Sequence, residues 1–371
     1  MSRIVLVQSG LGSGGTEKIV AMLAGHFGSR GHEVVVLAIH GSPANGYYTM
    51  PERTVVRSME AEEGPDAAKR TMRRVSWLRK TFQDVRPDLI VSFLTKINIQ
   101  TTAACFGMSI PRIASERNNF KTQPMHWLWR LAMAPTLAMA NAVVMLTSGS
   151  MNALPEYARR RARVIPNPCP PIVRHPPISV PQRLIAVGRL CDQKGFDTLI
   201  RAVALARQNV PDLSLTIYGE GEKRGELEAL RDTLELSGAV AMPGRSVNPH
   251  DWVGEGGIFA LSSRYEGFPN VLSEALAHGF AIATTRCDWG PEDLIEQGRS
   301  GLMVPVDDAR AMAATLERLW GDEVLRLRLA QEGVNRAELF CQNAVLSRWE
   351  DVVRDVLDGR HTHEDPVIAT G

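Results

Sequence analysis

Short runs of aliphatic and β-branched residues alternate with helix-length amphipathic stretches along almost the whole chain, and they fall into two sets. The first set is "RIVLVQS" (3–9), "HEVVVLAIH" (32–40), "DLIVSF" (88–93), "RIASE" (112–116) and "AVVMLT" (142–147). The second is "RLIAVGR" (183–189), "LSLTIYG" (213–219), "VAMPG" (240–244), "GIFALSS" (257–263), "AIATT" (281–285) and "GLMVP" (301–305). Continuous apolar strands spaced by helices predict parallel sheets covered on both faces, because each parallel connection must cross over the sheet. Between the sets, residues 166–182 read "PNPCPPIVRHPPISVPQ", with seven prolines that no regular element tolerates. The expected fold class is α/β, with two doubly wound Rossmann-like domains facing across a cleft. The expected divisions are an N-terminal domain at 1–168, a Pro-rich linker at 169–182 and a C-terminal domain at 183–340. A C-terminal helix at 341–358 would pack back on the first domain, and 359–371 would form a flexible tail.

Composition agrees with this plan: 371 residues, 44% hydrophobic and 22% charged, suit two soluble globular domains and exclude disordered and collagen-like classes. The five cysteines at 105, 169, 191, 287 and 341 form no C-x-x-C pair or metal-ligand cluster, so buried free thiols are expected. Arg3 leads straight into the first strand, and no apolar stretch is long enough to span a bilayer. The chain is therefore expected in the cytoplasm. Net charge is +1, yet residues 1–175 hold 22 Lys+Arg against 11 Asp+Glu, and the remainder holds 20 against 30. A basic first half suggests that this half meets an anionic surface.

Gly10, Gly12 and Gly15 in "SGLGSGGTEKIV" fit the G-x-G-x-x-G dinucleotide fingerprint after a strand. That fold also needs an acidic residue at the end of the second strand for the ribose hydroxyls, and the position holds His40, followed by Gly41. A nicotinamide cofactor is therefore not expected. Gly15 or Thr16 would cap the helix that follows, and its open N–H groups would suit any anion or polar ligand.

Two later stretches concentrate chemistry. In "AVGRLCDQKGFDTLI" (186–200), Arg189 follows a strand and Lys194 precedes Gly195 at a helix start, a convergence that neutralises a diphosphate. A nucleoside diphosphate gains charge as it leaves, so these groups would favour the transition state over the ground state. No Asp-x-Asp motif is present, and neither a metal nor a cofactor is expected. In "SSRYEGFPNVLSEALAHG" (262–279), Glu266 and Glu274 flank Gly267, Phe268, Pro269, Asn270 and Val271, which turn the chain into a helix. Pro269 would sit early in that helix, and the N–H groups from Phe268 to Leu272 would point at a ligand whose hydroxyls the carboxylates accept from.

Arg189 with Lys194-Gly195, "YGEGEKRGELEAL" (218–230), "PGR" (243–245) and the spaced Glu266/Glu274 together resemble the family 4 retaining glycosyltransferases of the GT-B fold. "GGTEKIV", "SERNN" and the Gly290-Pro291 loop resemble the bacterial branch that builds exopolysaccharide and lipid-linked oligosaccharides. The resemblance implies that Arg189 and Lys194 bind the donor diphosphate, that Glu274 holds the ribose, and that Glu266 with the backbone of 267–270 holds the transferred sugar. The backbone near Arg245 would meet the base, with Gly221 and Arg224 nearby, while Gly14 and Gly15 approach from the other domain. Many relatives carry a histidine after the fourth strand where "SERNNF" places Arg117, so Arg117 or Glu116 would contact substrate instead. Trp289 has no counterpart in this pattern. In such retaining enzymes the acceptor hydroxyl attacks from the face that the diphosphate leaves, so Glu266 is expected to position and stabilise rather than act as a nucleophile.

The basic first half would carry the acceptor. "TMRRVSWLRKTF" (71–82) mixes Arg73, Arg74, Arg79 and Lys80 with Trp77 and Phe82, and "MHWLWRLAMAPTLAMA" follows at 125–140. Such a mixture suits either a solvated face over a core or an anionic bilayer headgroup region. The expected partners are a nucleotide-sugar donor, UDP-linked as the resemblance implies, a polyprenyl-diphosphate-linked sugar acceptor and an anionic membrane surface, with no nucleic acid. The enzyme would be peripheral on the inner face of the plasma membrane. A UDP-sugar 2-epimerase and a non-catalytic sugar-nucleotide sensor are the alternatives.

Overall fold

A computed structural model of the chain describes all residues except 123–124, 172–180, 247–250, 255 and 361–371. Most of the expected linker and tail lie outside the described residues. Two compact units emerge: one comprises Met1–Pro166 and the chain from Leu346, the other Asn167–Val345.

The first unit is built on a seven-stranded sheet: β1 (Arg3–Gln8), β2 (Glu33–Ala38), β3 (Val55–Ser58), β4 (Leu89–Phe93), β5 (Arg112–Ser115), β6 (Ala142–Met145) and β7 (Ala162–Val164). The order is β3-β2-β1-β4-β5-β6-β7 and every pairing is parallel. Two of these strands, β3 and β7, are absent from the sequence-based set. Both are edge strands of four and three residues without an apolar run, and β3 is largely open to solvent on one side. Edge positions do not demand the two-faced burial that makes a parallel strand visible in a sequence.

The second unit carries β8 (Leu184–Val187), β9 (Leu215–Tyr218), β10 (Val240–Gly244), β11 (Ile258–Leu261), β12 (Ala281–Thr285) and β13 (Leu302–Val304). Its order is β10-β9-β8-β11-β12-β13, again parallel throughout, and all six correspond to expected runs. The core packs Leu199, Val203 and Ala206 of the helix Phe196–Ala206 and Leu316, Leu319 and Trp320 of the helix Ala309–Gly321 around the sheet.

In each unit the first strand sits mid-sheet, and the connections turn opposite ways on its two sides. The switch point falls between β1 and β4 in one sheet and between β8 and β11 in the other. Ligands of open α/β sheets bind outside the carboxyl ends at such a point.

Two expected features of the first unit change. The helix after β1 runs Gly15–Ser29 and its N-cap is Gly14, so neither Gly15 nor Thr16 caps it. In the helix Thr71–Val85, Trp77, Leu78 and Phe82 are core, and the Trp77 indole N–H donates to Glu62 Oε2 at 2.8 Å. The aromatics at 71–82 therefore face the interior and cannot meet a bilayer. The helix Trp127–Met139 differs, with Trp127 60%, Leu128 54% and Leu131 64% exposed.

The helix Gln342–Leu357 packs on the first unit. Trp349 is fully buried beside Phe93, with ring centroids 5.9 Å apart, and Glu350 pairs with Arg30 at 2.8 Å.

Candidate active site

The loops after β8 and β11 are zipped to each other in the second unit. The Arg264 N–H donates to the Gln193 carbonyl at 2.8 Å, Gln193 Nε2 donates to the Tyr265 carbonyl at 3.0 Å, and Ser262 Oγ donates to the Lys194 carbonyl at 2.8 Å. This contact is close enough that only glycine fits at 195. The residue is left-handed, with φ +59°, and an added Cβ would lie 2.2 Å from the Ser262 carbonyl oxygen. A third loop joins through glycines as well: a Cβ on Gly219 would lie 1.8 Å from the Gly188 oxygen, and one on Gly221 2.3 Å from that of Leu190. The spacing in "YGEG" thus serves close backbone approach between neighbouring loops.

That framework brings Lys194 and Glu266 together at the switch point. Lys194 Nζ lies 2.6 Å from Glu266 Oε1, with side chains 15% and 6% exposed, and Ser263 Oγ donates to the same oxygen at 2.6 Å. The Lys194 stem rests against Gly188, where a Cβ would come within 3.2 Å of it. An ammonium has three donors, and the carboxylate engages one. Arg189, at the end of the β8 loop, is exposed and forms no ion pair among the described residues. Burial, with the Glu266 charge adding to it, pushes the nearby Cys287 thiol up to about 12, which leaves it an inert thiol near neutral pH.

The helix Asn270–Ala277 begins beside this pair, with Pro269 as its N-cap, one place earlier than expected. The Leu272 N–H donates to the Pro269 carbonyl at 2.9 Å and so leaves the set of N–H groups expected to face a ligand. Phe268 is buried against Phe340, Gly267 and Val271 are half-buried, and Asn270 Oδ1 accepts from Asn167 Nδ2 at 2.8 Å. Glu274 lies half-buried, one turn into the helix. Pro269 is held by Gly290, where a Cβ would lie 2.4 Å from its ring, and the preceding Trp289 is left-handed at φ +61°.

Arg245 is exposed just beyond β10. Arg224 is already committed: it pairs with Glu220 at 2.7 Å and Glu228 at 2.6 Å and donates to the Met242 carbonyl. It braces the β9 and β10 loops.

In the first unit, Gly14 and Gly15 are exposed at the helix start after β1. Glu60 reaches the end of β2, accepting from the Gly41 N–H at 3.1 Å and lying 3.3 Å from His40 Nδ1. Arg117 lies 7% exposed, with its guanidinium over the rings of Phe93 and Trp349 at 5.7 and 5.6 Å, and burial lowers its pKa to about 9. Its surroundings are thus the interior of the first unit, against the C-terminal helix. Glu116 is buried, pushed up to about 7 by desolvation, and accepts from Thr95 Oγ1 and Asn98 Nδ2, both at 2.7 Å.

Ser263, Ser262 and Gln193 belong to the site and were not singled out in the sequence. Their signal was position alone, two serines at the end of a strand and a glutamine beside Lys194.

The family profile described as "Glycosyl transferase 4-like domain" matches residues 14–170, and that described as "Glycosyl transferases group 1" matches residues 181–322. The chain belongs to this glycosyltransferase family. A Campylobacter jejuni relative is 26% identical to this glycosyltransferase over 363 residues, covering 96% of this chain and 99% of that one. It is the GalNAc-alpha-(1->4)-GalNAc-alpha-(1->3)-diNAcBac-PP-undecaprenol alpha-1,4-N-acetyl-D-galactosaminyltransferase. The amylovoran biosynthesis glycosyltransferase AmsD of Erwinia amylovora is 23% identical, covering 94% and 99% of the two chains. Among solved structures, sucrose-phosphate synthase from Thermosynechococcus elongatus superposes with a TM-score of 0.79 at 17% identity, covering 97% of this glycosyltransferase and all of that chain. Anabaena HepE in complex with UDP gives 0.78 at 17% identity, covering 96% of this chain and 100% of that one. Both likenesses establish the GT-B fold.

Proposed function

We propose that this glycosyltransferase moves a sugar from a UDP-linked donor, with retention, to a polyprenyl-diphosphate-linked saccharide during assembly of a cell-surface polysaccharide. The observation that carries the donor half is the Lys194–Glu266 pair at the switch point of the second sheet, beside the exposed Arg189. Arg189 and the remaining Lys194 donors would meet the diphosphate and stabilise it as it leaves. Glu266, fixed by Lys194 and Ser263, would orient the sugar and stabilise positive charge at the anomeric carbon, while Glu274 would accept from the ribose. The acceptor hydroxyl would attack from the leaving face and pass its proton to the departing phosphate. The nucleotide sugar is then a substrate, and no cofactor takes part.

The undecaprenol-linked substrate in the Campylobacter relative's name supports the choice of acceptor. A surface role is supported by Trp127, Leu128 and Leu131, exposed on a helix that also bears Arg130, with His126 at its N-cap and Lys121 exposed upstream. Aromatic and aliphatic groups among cations suit an anionic headgroup layer, and no helix among the described residues is long and apolar enough to cross a membrane.

The test is incubation of the purified protein with UDP-, GDP- and ADP-sugars and an undecaprenyl-diphosphate-linked saccharide. We expect UDP release that depends on the acceptor, with the donor's anomeric configuration kept in the product by NMR. Turnover of a UDP-sugar to its 2-epimer without acceptor, or no turnover of any donor, would overturn the proposal.

A further inference from the structure

Arg264 stands two residues before Glu266, in the loop after β11, and its guanidinium spreads over three other elements of the second unit. Nη1 donates to the Asp192 carbonyl at 2.7 Å, Nη2 to Asp197 Oδ2 at 2.8 Å and Nε to Asp307 Oδ1 at 2.8 Å. Its main-chain N–H adds the bond to the Gln193 carbonyl. Asp197 lies in the first turn of the helix Phe196–Ala206. Asp307 follows β13 with left-handed backbone, φ +59°, and accepts from Thr198 Oγ1 of that same helix at 3.0 Å. One side chain therefore joins the β11 loop, the β8 loop, the helix after it and the β13 loop.

Fold stability does not account for this arrangement. The Arg264 side chain is 26% exposed and its two carboxylates are 44% and 51% exposed, and ion pairs so open to water add little to folding. What the fork supplies is direction, because its donors leave a rigid plane at fixed angles. The carbonyls it takes, those of Asp192 and Gln193, belong to the single 3-10 turn Asp192–Lys194, which is too short to hold its own shape. Lys194 is the last residue of that turn, and Glu266 lies just beyond Arg264 on the other loop. Gly195 lets the two loops touch, and Arg264 holds them in register. Its own charge is met by Asp197 and Asp307, so it leaves Glu266 to Lys194. A lysine stem has four rotatable bonds, and an ammonium aimed at a phosphate needs its backbone fixed before the ligand arrives.

We propose that Arg264 is a positioning residue of the donor site: it touches no substrate and acts through Lys194, whose ammonium it sets toward the diphosphate. The inference deepens the donor half of the function proposed above and rests on it. Its test is a double-variant cycle read by calorimetric titration of UDP into the full-length protein, with Arg264→Gln made alone and together with Lys194→Ala. Arg264→Gln should weaken UDP binding roughly tenfold when Lys194 is present, the size of one charge-assisted hydrogen bond, and less than twofold when it is absent. Arg264→Lys restores the charge without the fork and should not recover the loss. Melting temperatures should stay within a few degrees. Asp307→Asn loosens a single arm, and asparagine tolerates the left-handed backbone there, so this variant keeps the test valid if Arg264→Gln unfolds. It should lose severalfold in affinity with the same dependence on Lys194. A residue that only stabilised the unit would weaken binding equally in both backgrounds; equal losses, wild-type affinity in the Arg264 variant, or full recovery by lysine would overturn the proposal. UDP binding by the wild type with equal losses removes the role of Arg264 alone, whereas a wild type that binds no UDP removes the donor site and this inference with it.

Discussion

At Gly195 the chain turns left-handed within van der Waals contact of the neighbouring loop, and that single residue sets how Lys194 meets Glu266. Gly195→Ala should cost about 1–3 kcal/mol from φ strain, and more from the 2.2 Å approach to Ser262, together with a weakened nucleotide site; thermal unfolding and UDP titration would register both losses. Glu116 gives a pH signature. Burial raises its carboxyl from 4.5 to about 7, so the folded chain holds that proton more tightly than the unfolded chain does. Its contribution to stability is full below about 4.5, is lost as pH rises toward 7, and is flat above. Glu116→Gln should remove that slope, worth ~2 kcal/mol, from melts recorded between pH 5 and 8. Lys194 and Glu266 were legible in the sequence because each follows a strand and precedes a helix start, and the fold pairs them at 2.6 Å. Arg117 was not, since the sequence gives its position after β5 but not that Phe93 and Trp349 enclose it, the latter more than two hundred residues away.

Among the elements, every strand buried on both faces could be read from its apolar run, and the two missed, β3 and β7, are short edges whose pairing depends on neighbours rather than on their own residues. Helices were harder to assign to a face. Thr71–Val85 and Trp127–Met139 have similar mixtures of tryptophan, leucine and arginine, yet the first turns its aromatics inward and the second turns Trp127 and Leu131 outward. Period alone cannot say which side of a helix meets the sheet when both sides are apolar enough. The exposed pair lies four residues apart on one face, so the double variant Trp127→Ser, Leu131→Ser should leave the melting temperature within a few degrees and cut flotation with phosphatidylglycerol-containing vesicles severalfold. The helix Gln342–Leu357 should behave in the opposite way. Trp349→Ala empties a fully buried site against Phe93 and should destabilise the first unit by about 3–5 kcal/mol in a denaturant titration.

Across the whole molecule, the charge difference between the two halves and the repeated sheet order set two unlike units: a basic one with a glycine loop after its first strand, and an acidic one whose Lys194 and Arg189 gather at one switch point. The glycines that invite a dinucleotide interpretation lie in the first unit, and the groups suited to a diphosphate lie in the second. The sequence separated these roles only because His40 stands where an acidic residue was required, and the fold then brings Glu60 to that place from a later helix. The most direct measurement is calorimetric titration of UDP into the wild-type protein and into Arg189→Ala and Lys194→Ala. Wild type should bind, and each variant should lose about 10- to 100-fold in affinity, the range of a charge-assisted hydrogen bond to phosphate. Wild-type affinity in both variants would contradict the assignment of the donor diphosphate to this site.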